Sequence, residues 1–296
     1  MPMIQPAQSG QALLDSISET PDDPSILHLW WLGQSGFLVK WQETQILFDP
    51  YLSDSLTAKY ASTETPHVRM SQRVIDPEQL SGIDLVTSSH QHTDHFDPET
   101  LLSLRRANPE MKLLLPKSNL KAAEARLRKS LPPLVGINDG DVLQVGACTV
   151  IGLPSAHVES PINGAEVERD KLGCCQCMGY IIEIGSFSIY HSGDTVVFDG
   201  LEGMLEDHEP DIVFLPINGS DPALGVAGNM NGPEAASLAK ACGARLAIPH
   251  HYDMFSFNTA SPDPFQAGCE ALDQACFVPA LGQHMAFHQE QGLLQS

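Results

Sequence analysis

The chain has 296 residues, 42% of them hydrophobic, which is enough for a sizeable core and within reach of one large layered α/β domain. Its 16 Lys and Arg stand against 37 Asp and Glu, a formal charge of −21, so a polyanionic nucleic acid is not an expected partner. No apolar run approaches the roughly 18–20 residues of a membrane-spanning helix, so a membrane is not expected either.

Residues 1–25 are polar and broken by Pro21 and Pro24, and read as a loosely ordered lead-in to a domain spanning 26–296. Leu29–Leu32, Phe37–Val39 and Ile46–Phe48 read as short strands separated by turn residues and closed by Asp49-Pro50. Residues 51–80 read as a long surface loop or insertion. The strand at Ile83–Thr87 runs into a His-rich segment, after which Asp97-Pro98-Glu99 opens a helix to about Arg106 by cap, N-terminal proline and early acid. A second unit follows, with a strand at Met111–Leu115 and a helix from Ser118 to about Lys129. The basic runs Arg105-Arg106 and Arg126–Lys129 fall in these helices and read as solvated faces. Strands recur at Val142–Val145 and Thr149–Leu153, and a hairpin spans Gly179–Ile184 and Phe187–Tyr190 with its turn at Gly185-Ser186. A strand at Asp211–Leu215, a helix after Gly232-Pro233 and a strand at Arg245–Ile248 complete the pattern. Strands followed by alternating strands and helices, twice over, predict a layered α/β architecture.

Seven cysteines, three of them crowded at Cys174, Cys175 and Cys177, suit free thiols better than a disulfide framework. The triplet lacks the paired second half of a zinc ribbon. Met1 to Ser25 shows no basic start followed by an apolar stretch, so no secretory signal is expected and the cytoplasm is the expected compartment.

The segment that carries chemistry is His90-Gln91-His92-Thr93-Asp94-His95, in the loop after an apolar strand. Four ligand side chains in six residues can converge on a small volume, and neutral imidazoles with a carboxylate suit Zn²⁺, Mn²⁺ or Fe²⁺. His90 and His92 alternate, so both face one side of an extended segment. Asp94 and His95, past the bend, are left for a second centre. The plainer reading is a polar loop whose histidines only hydrogen-bond, but a quarter of the chain's 12 histidines in six residues weighs against it.

This His-X-His-X-Asp-His pattern resembles the signature of the metallo-β-lactamase superfamily. Ser155-Ala156-His157, His191–Thr195 and Pro249–Tyr252, each after an apolar run, match further motifs of that superfamily in order. The resemblance implies an αββα sandwich, two sheets flanked by helices, with two divalent ions between the sheets. One ion would be held by His90, His92 and His157, the other by Asp94, His95 and His251, with Asp194 bridging. Of the neighbours His250 and His251, the Pro-X-His spacing favours His251 as ligand and leaves His250 as a pocket residue. His191 reads either as a residue behind the ligands that orients one of them or as a buried, hydrogen-bonded histidine.

Trp30–Gly36, Phe48-Asp49-Pro50, Tyr190–Thr195 and Pro249–Asp253 are similar to the L-ascorbate-6-phosphate lactonase-like group of that superfamily. The likeness implies a hydrolase that opens a small polar ester or lactone, phosphorylated in some cases, through a metal-bridging hydroxide that Asp94 orients and deprotonates. It also implies a homo-oligomer. Arg69 falls where that group carries an arginine and would pair with a substrate phosphate or carboxylate, against the plainer reading of a surface arginine. Asn218 and Asn229, in loops at element ends, would hold a polar ligand. The N-terminal pattern also resembles the N-acyl-phosphatidylethanolamine phospholipase D-like branch, which makes phosphodiester hydrolysis the alternative. A catalytically silent metal or ligand binder is the third reading, and the complete ligand set weighs against it.

Overall fold

The structure is a computed structural model and describes residues 3–127, 133–157, 165–221, 225 and 228–294. The first half lays down helix α1 (Gln11–Ser18), strands β1 (Ile26–Gly33), β2 (Gly36–Trp41) and β3 (Thr44–Phe48), helix α2 (Ser55–Tyr60), β4 (Leu85–Thr87), α3 (Pro98–Ala107), β5 (Lys112–Pro116), α4 (Leu120–Leu127) and β6 (Leu134–Ile137). Next come β7 (Val142–Val145), β8 (Cys148–Pro154), β9 (Met178–Ile184), β10 (Phe187–His191), α5 (Leu201–Glu206) and β11 (Ile212–Pro216). The chain ends through α6 (Gly232–Ala241), β12 (Leu246–His250), α7 (Asp263–Leu272), β13 (His284–His288) and β14 (Gly292–Leu294).

Two mixed sheets result, flanked by helices. One has the order β14-β13-β1-β2-β3-β4-β5-β6 and the other β12-β11-β10-β9-β8-β7. Each begins as an antiparallel meander and turns parallel where strands alternate with helices, from β3 to β6 in one and from β10 to β12 in the other. The layered α/β architecture expected from the sequence is what the chain adopts. The turns follow local chemistry. Gly185, at φ +58°, closes the β9–β10 hairpin in the left-handed region open to glycine. Asp97 caps α3 by accepting from the Thr100 N–H at 2.9 Å, with Pro98 in the first turn. Asn231 and Glu234 form a reciprocal capping box on α6.

The sheets meet through aromatic side chains. Phe37 of β2 stacks on Phe214 of β11 with centroids 4.0 Å apart, and Phe48 of β3 meets the same ring edge-on at 5.8 Å. The β1 strand is buried from Leu27 onward, which is why its sequence is a continuous apolar run and not an alternating one.

Three expectations are corrected. Residues 3–25 are not a loose lead-in. Ile4 bridges to Ser71, the Ala7 N–H donates to Leu281 O at 2.7 Å, and α1 buries Leu13 and Ile17. Apolar residues four apart suffice to dock that one short helix. Residues 51–80 are not all loop: they carry α2, and Tyr51 and Leu56 form a small cluster with Met254 and Phe255 apart from the main core. Arg126 is no solvated charge, since its guanidinium lies 4.7 Å over the Phe96 ring and donates to Gln91 O and Phe96 O. Arg128, Lys129 and the expected end of that helix lie outside the described residues.

Candidate metal centre

Every residue of the site stands at the carboxyl end of a strand. The His90–His95 loop follows β4, His157 follows β8, Asp194 follows β10 and His251 follows β12, so both sheets contribute. Gln34 sits in the β1–β2 turn and Asp49 just after β3. Gln34, Asp49 and His251 all have positive φ (51°, 38° and 69°). Left-handed backbone at non-glycine residues is strained and persists where the surroundings over-determine it, commonly at functional sites. Gly193, at φ +58°, packs so tightly on Ser89 that a Cβ there would collide with the Ser89 side chain.

The ligand atoms of His90, His92 and His157 lie within 4.8 Å of one another, as do those of Asp94, His95 and His251. Asp194 faces both groups. Its Oδ1 is 3.3 Å from His95 Nε2, and its Oδ2 is 3.3 Å from His251 Nε2 and 3.7 Å from His157 Nε2. Nε2 of His90 is buried with no hydrogen-bond partner among the described residues, and Nε2 of His95 and Oδ1 of Asp194, though 3.3 Å apart, are not aligned to hydrogen-bond with each other or with another described residue. Unpartnered buried polar atoms are rare in folded proteins. A converging set of imidazole nitrogens and carboxylate oxygens fits first-row divalent cations, so the residues suit the two ions that the resemblance implies.

The electrostatics agree. Burial, reinforced by neighbouring imidazoles, holds His90 well below the usual histidine range. Burial would do the same to His95 and His251, but Asp194 and Asp94 override it, raising His95 well above its usual value and His251 to about 9. The same contacts overcome burial at the two carboxylates and keep both well below the ordinary range, His95 acting first on Asp94 and His251 first on Asp194. Two imidazoles whose proton affinity is raised by two carboxylates make an arrangement in which a divalent cation can take the place of protons.

Two residues not singled out from the sequence orient this set. Asp49, fully buried, accepts from His95 Nδ1 at 2.7 Å, from Thr87 Oγ1 at 2.9 Å and from the Ser89 hydroxyl, which turns His95 Nε2 toward the centre. Gln34 Nε2 donates to Asp94 Oδ2 at 2.9 Å and lies 3.1 Å from His251 Nε2. His157 Nδ1 is held by Gly228 O at 2.9 Å, again leaving Nε2 to face the centre. Both Asp49 and Gln34 sit in sequence segments that carried the resemblance, but no local spacing marks a carboxylate that meets a histidine 46 positions later.

The second set of expected residues is placed differently. A cavity of about 850 Å³ opens on the metal ligands, and Arg69 is not part of its lining. Its guanidinium donates to Asp54 Oδ1 at 2.8 Å and to Ser53 O at 2.9 Å, so packing of the 51–80 segment uses its hydrogen-bonding fork. Asn229 and Asn218 stand one behind the other. Asn229 Nδ2 donates to Asn218 Oδ1, and Asn218 Nδ2 donates to Asn258 Oδ1, each at 2.9 Å, and it is Asn258 that lines the cavity. His250 is buried as the last residue of β12, 3.0 Å from Ser35 Oγ and stacked on His191 at 5.1 Å, because successive strand residues alternate faces. His191 bonds Ser35 O and the Gly193 N–H, so it holds the loop that leads to Asp194 and orients no ligand ring directly. The seven cysteines are free thiols; Cys177 lines the cavity, and burial pushes its thiol up to about 12.

Residues 44–252 match the family described as beta-lactamase superfamily domain. Among curated proteins, the chain is 24% identical over 273 residues to a UPF0173 metal-dependent hydrolase of Archaeoglobus fulgidus, covering 89% of this chain and all of that one. It is 29% identical over 210 residues to a UPF0173 metal-dependent hydrolase of Methanosphaerula palustris, covering 68% and 85%. Among solved structures, an isothiocyanate hydrolase from Delia radicum gut bacteria superposes with a TM-score of 0.69 at 18% identity, covering 88% of this chain and 99% of that one. Igni18, a metallo hydrolase from Ignicoccus hospitalis, does so with a TM-score of 0.62 at 21% identity, covering 89% and 99%. Among the described residues, no helix is long and apolar enough to cross a membrane.

Proposed function

We propose, since the chain belongs to the beta-lactamase superfamily, that its paired ligand clusters serve a metal-dependent hydrolase acting on a small ester or lactone. One observation carries the reading: five imidazoles and two carboxylates converge, with His90 Nε2 buried without a hydrogen-bond partner among the described residues and the Asp194 oxygens only loosely engaged, at 3.3 Å from His95 Nε2 and His251 Nε2. His90, His92 and His157 would hold one divalent ion, zinc, manganese or iron(II), and Asp94, His95 and His251 the other, with Asp194 between them. Ions bound there would lower the pKa of water and polarise the scissile carbonyl.

The chain's own groups supply position and proton transfer. Asp49 and Gly228 O fix the ring orientations of His95 and His157. Asp94 is the more exposed carboxylate, 17% against 4% for Asp194, so it is the one placed to pass a proton to the departing oxygen. Gln34 keeps that carboxylate aimed by holding Oδ2.

The test is metal analysis coupled to a panel of chromogenic lactones, esters and bis(p-nitrophenyl) phosphate. Lactone or ester turnover is expected, with Asp94→Ala lowering it about 10²–10⁴-fold while the fold persists. Near-native turnover by that variant overturns the role of Asp94. Preference for the phosphodiester moves the protein to the phosphodiesterase reading, and bound metal with no turnover of the panel moves it to a binding role.

A further inference from the structure

We propose that the cavity receives a planar apolar group of the substrate, an aromatic ring above all, against a wall made by Leu56, Tyr60, His67, Phe255 and Phe257. The inference rests on the hydrolytic reading of the same cavity and adds the substrate class. All five residues line it together with the metal ligands.

The rings form one surface around His67. Tyr60 stacks on it with centroids 4.3 Å apart, Phe255 meets it edge-on at 5.4 Å, and Phe257 lies tilted at 5.0 Å. They come from three separate segments, α2, the loop after it and the loop after β12. Backbone pairing holds two of these together: Met70 N–H donates to Met254 O and Ser256 N–H to Val68 O, each at 2.8 Å. Thr57 Oγ1 donates to His67 O at 2.8 Å and ties in the third.

Leu56 and Phe255 are buried beneath this surface, in a small cluster with Tyr51 and Met254 that is separate from the main core. Tyr60, His67 and Phe257 are only half-buried. Aromatic surface left wet inside a concave site is a place where a second ring gains both burial and stacking. Lys59 Nζ already lies 4.9 Å over the Tyr60 ring, which disfavours a cationic group and leaves a neutral planar one as the fitting occupant.

The experiment measures binding and turnover separately. Calorimetry on the zinc-loaded protein compares benzylphosphonate with methylphosphonate, which share the headgroup and differ in the ring. Benzylphosphonate is expected to bind about tenfold more tightly or better. Tyr60→Ala and Phe257→Ala should each cut that ratio several-fold, and Phe257→Leu should cut it less, with zinc content and unfolding temperature checking the integrity of each variant. Equal affinities, no binding of either compound, or a ratio that none of the three variants alters overturns the wall. In parallel, phenylacetyl and acetyl esters are tested as substrates. A ring preference in binding without ester turnover overturns the hydrolytic reading and leaves the wall standing; ester turnover without ring preference does the reverse.

Discussion

The metal centre and the wall beside it are built in contrasting ways. The candidate ligands stand at the ends of β4, β8, β10 and β12, with His90, His95, Asp194 and His251 buried and His92 exposed at the cavity mouth, and are tied by Asp49, Gln34 and the Gly228 carbonyl. The wall hangs on α2 and two irregular segments, joined by one isolated bridge between Arg69 and Phe255, over a cluster of four buried side chains. Strand ends hold reacting groups to a fraction of an ångström, whereas loops with a small core of their own can change shape or sequence without disturbing them. On this contrast the proposed chemistry belongs to the scaffold and the proposed choice of substrate to the segments laid over it.

The strongest attempt to break the contrast is Asp194→Ala, which removes the one carboxylate that faces both ligand groups. Turnover should fall by at least about 10³-fold with bound metal lost in elemental analysis, while hydrogen exchange of residues 51–80 stays as in the parent. Retention of metal and activity would show that the two groups act independently.

Leu56→Ala attacks the other region. Truncating this buried leucine should cost about 3 kcal/mol locally, seen as faster exchange and proteolysis within 51–80, with metal content unchanged. If the strand core loosens by the same amount, the wall is not a separate unit.

Asp49→Asn sharpens the scaffold side, because it keeps the side-chain volume and removes the charge that holds His95 Nδ1. Metal affinity should drop roughly 10–100-fold, as for other carboxylates behind a ligating histidine, measured by competition with a chelator. An unchanged affinity would mean that Ser89 and the loop backbone suffice.

The smallest effect lies in neither region. His284 and His28 join β13 to β1, with ring nitrogens 3.1 Å apart. Burial, then the His28 charge, lowers His284 from 6.5 to about 4. The unfolded chain therefore takes up a proton below pH 6.5 that the folded chain refuses until about pH 4. Stability should fall as pH drops through that window and be unaffected above pH 7. After discount for partial exposure this is about 1 kcal/mol, read from urea midpoints at pH 7 and 4.5. In His284→Phe the acid loss should shrink; an identical loss would assign it elsewhere.

The main strands and three of the helices were legible because each obeys a local rule, as in the Asp97-Pro98-Glu99 cap and the Gly185 turn. The β6, β13 and β14 strands were not, since they run only three to five residues, and β13 pairs with β1 at the other end of the chain while β14 pairs with the equally unread β13. The α1, α2, α5 and α7 helices escaped notice for a related reason, being stretches of six to ten residues whose burial comes from packing on other elements.

The sequence by itself marked the candidate ligands, His90–His95 by their density after an apolar strand and His157, Asp194 and His251 by resemblance, because strand ends are where such side chains can emerge together. Tertiary structure alone decided how they are held and what lies beside them. The left-handed turn at His251 brings that imidazole, and not His250, to the centre. Asp49 finds His95 across 46 positions, Arg69 is spent on Asp54 and Ser53, and Tyr60 meets Phe257 around His67. The Asp49–His95 and Tyr60–His67–Phe257 contacts join separate segments, and even the Arg69 contacts reach back 15 and 16 positions, beyond what local spacing can specify.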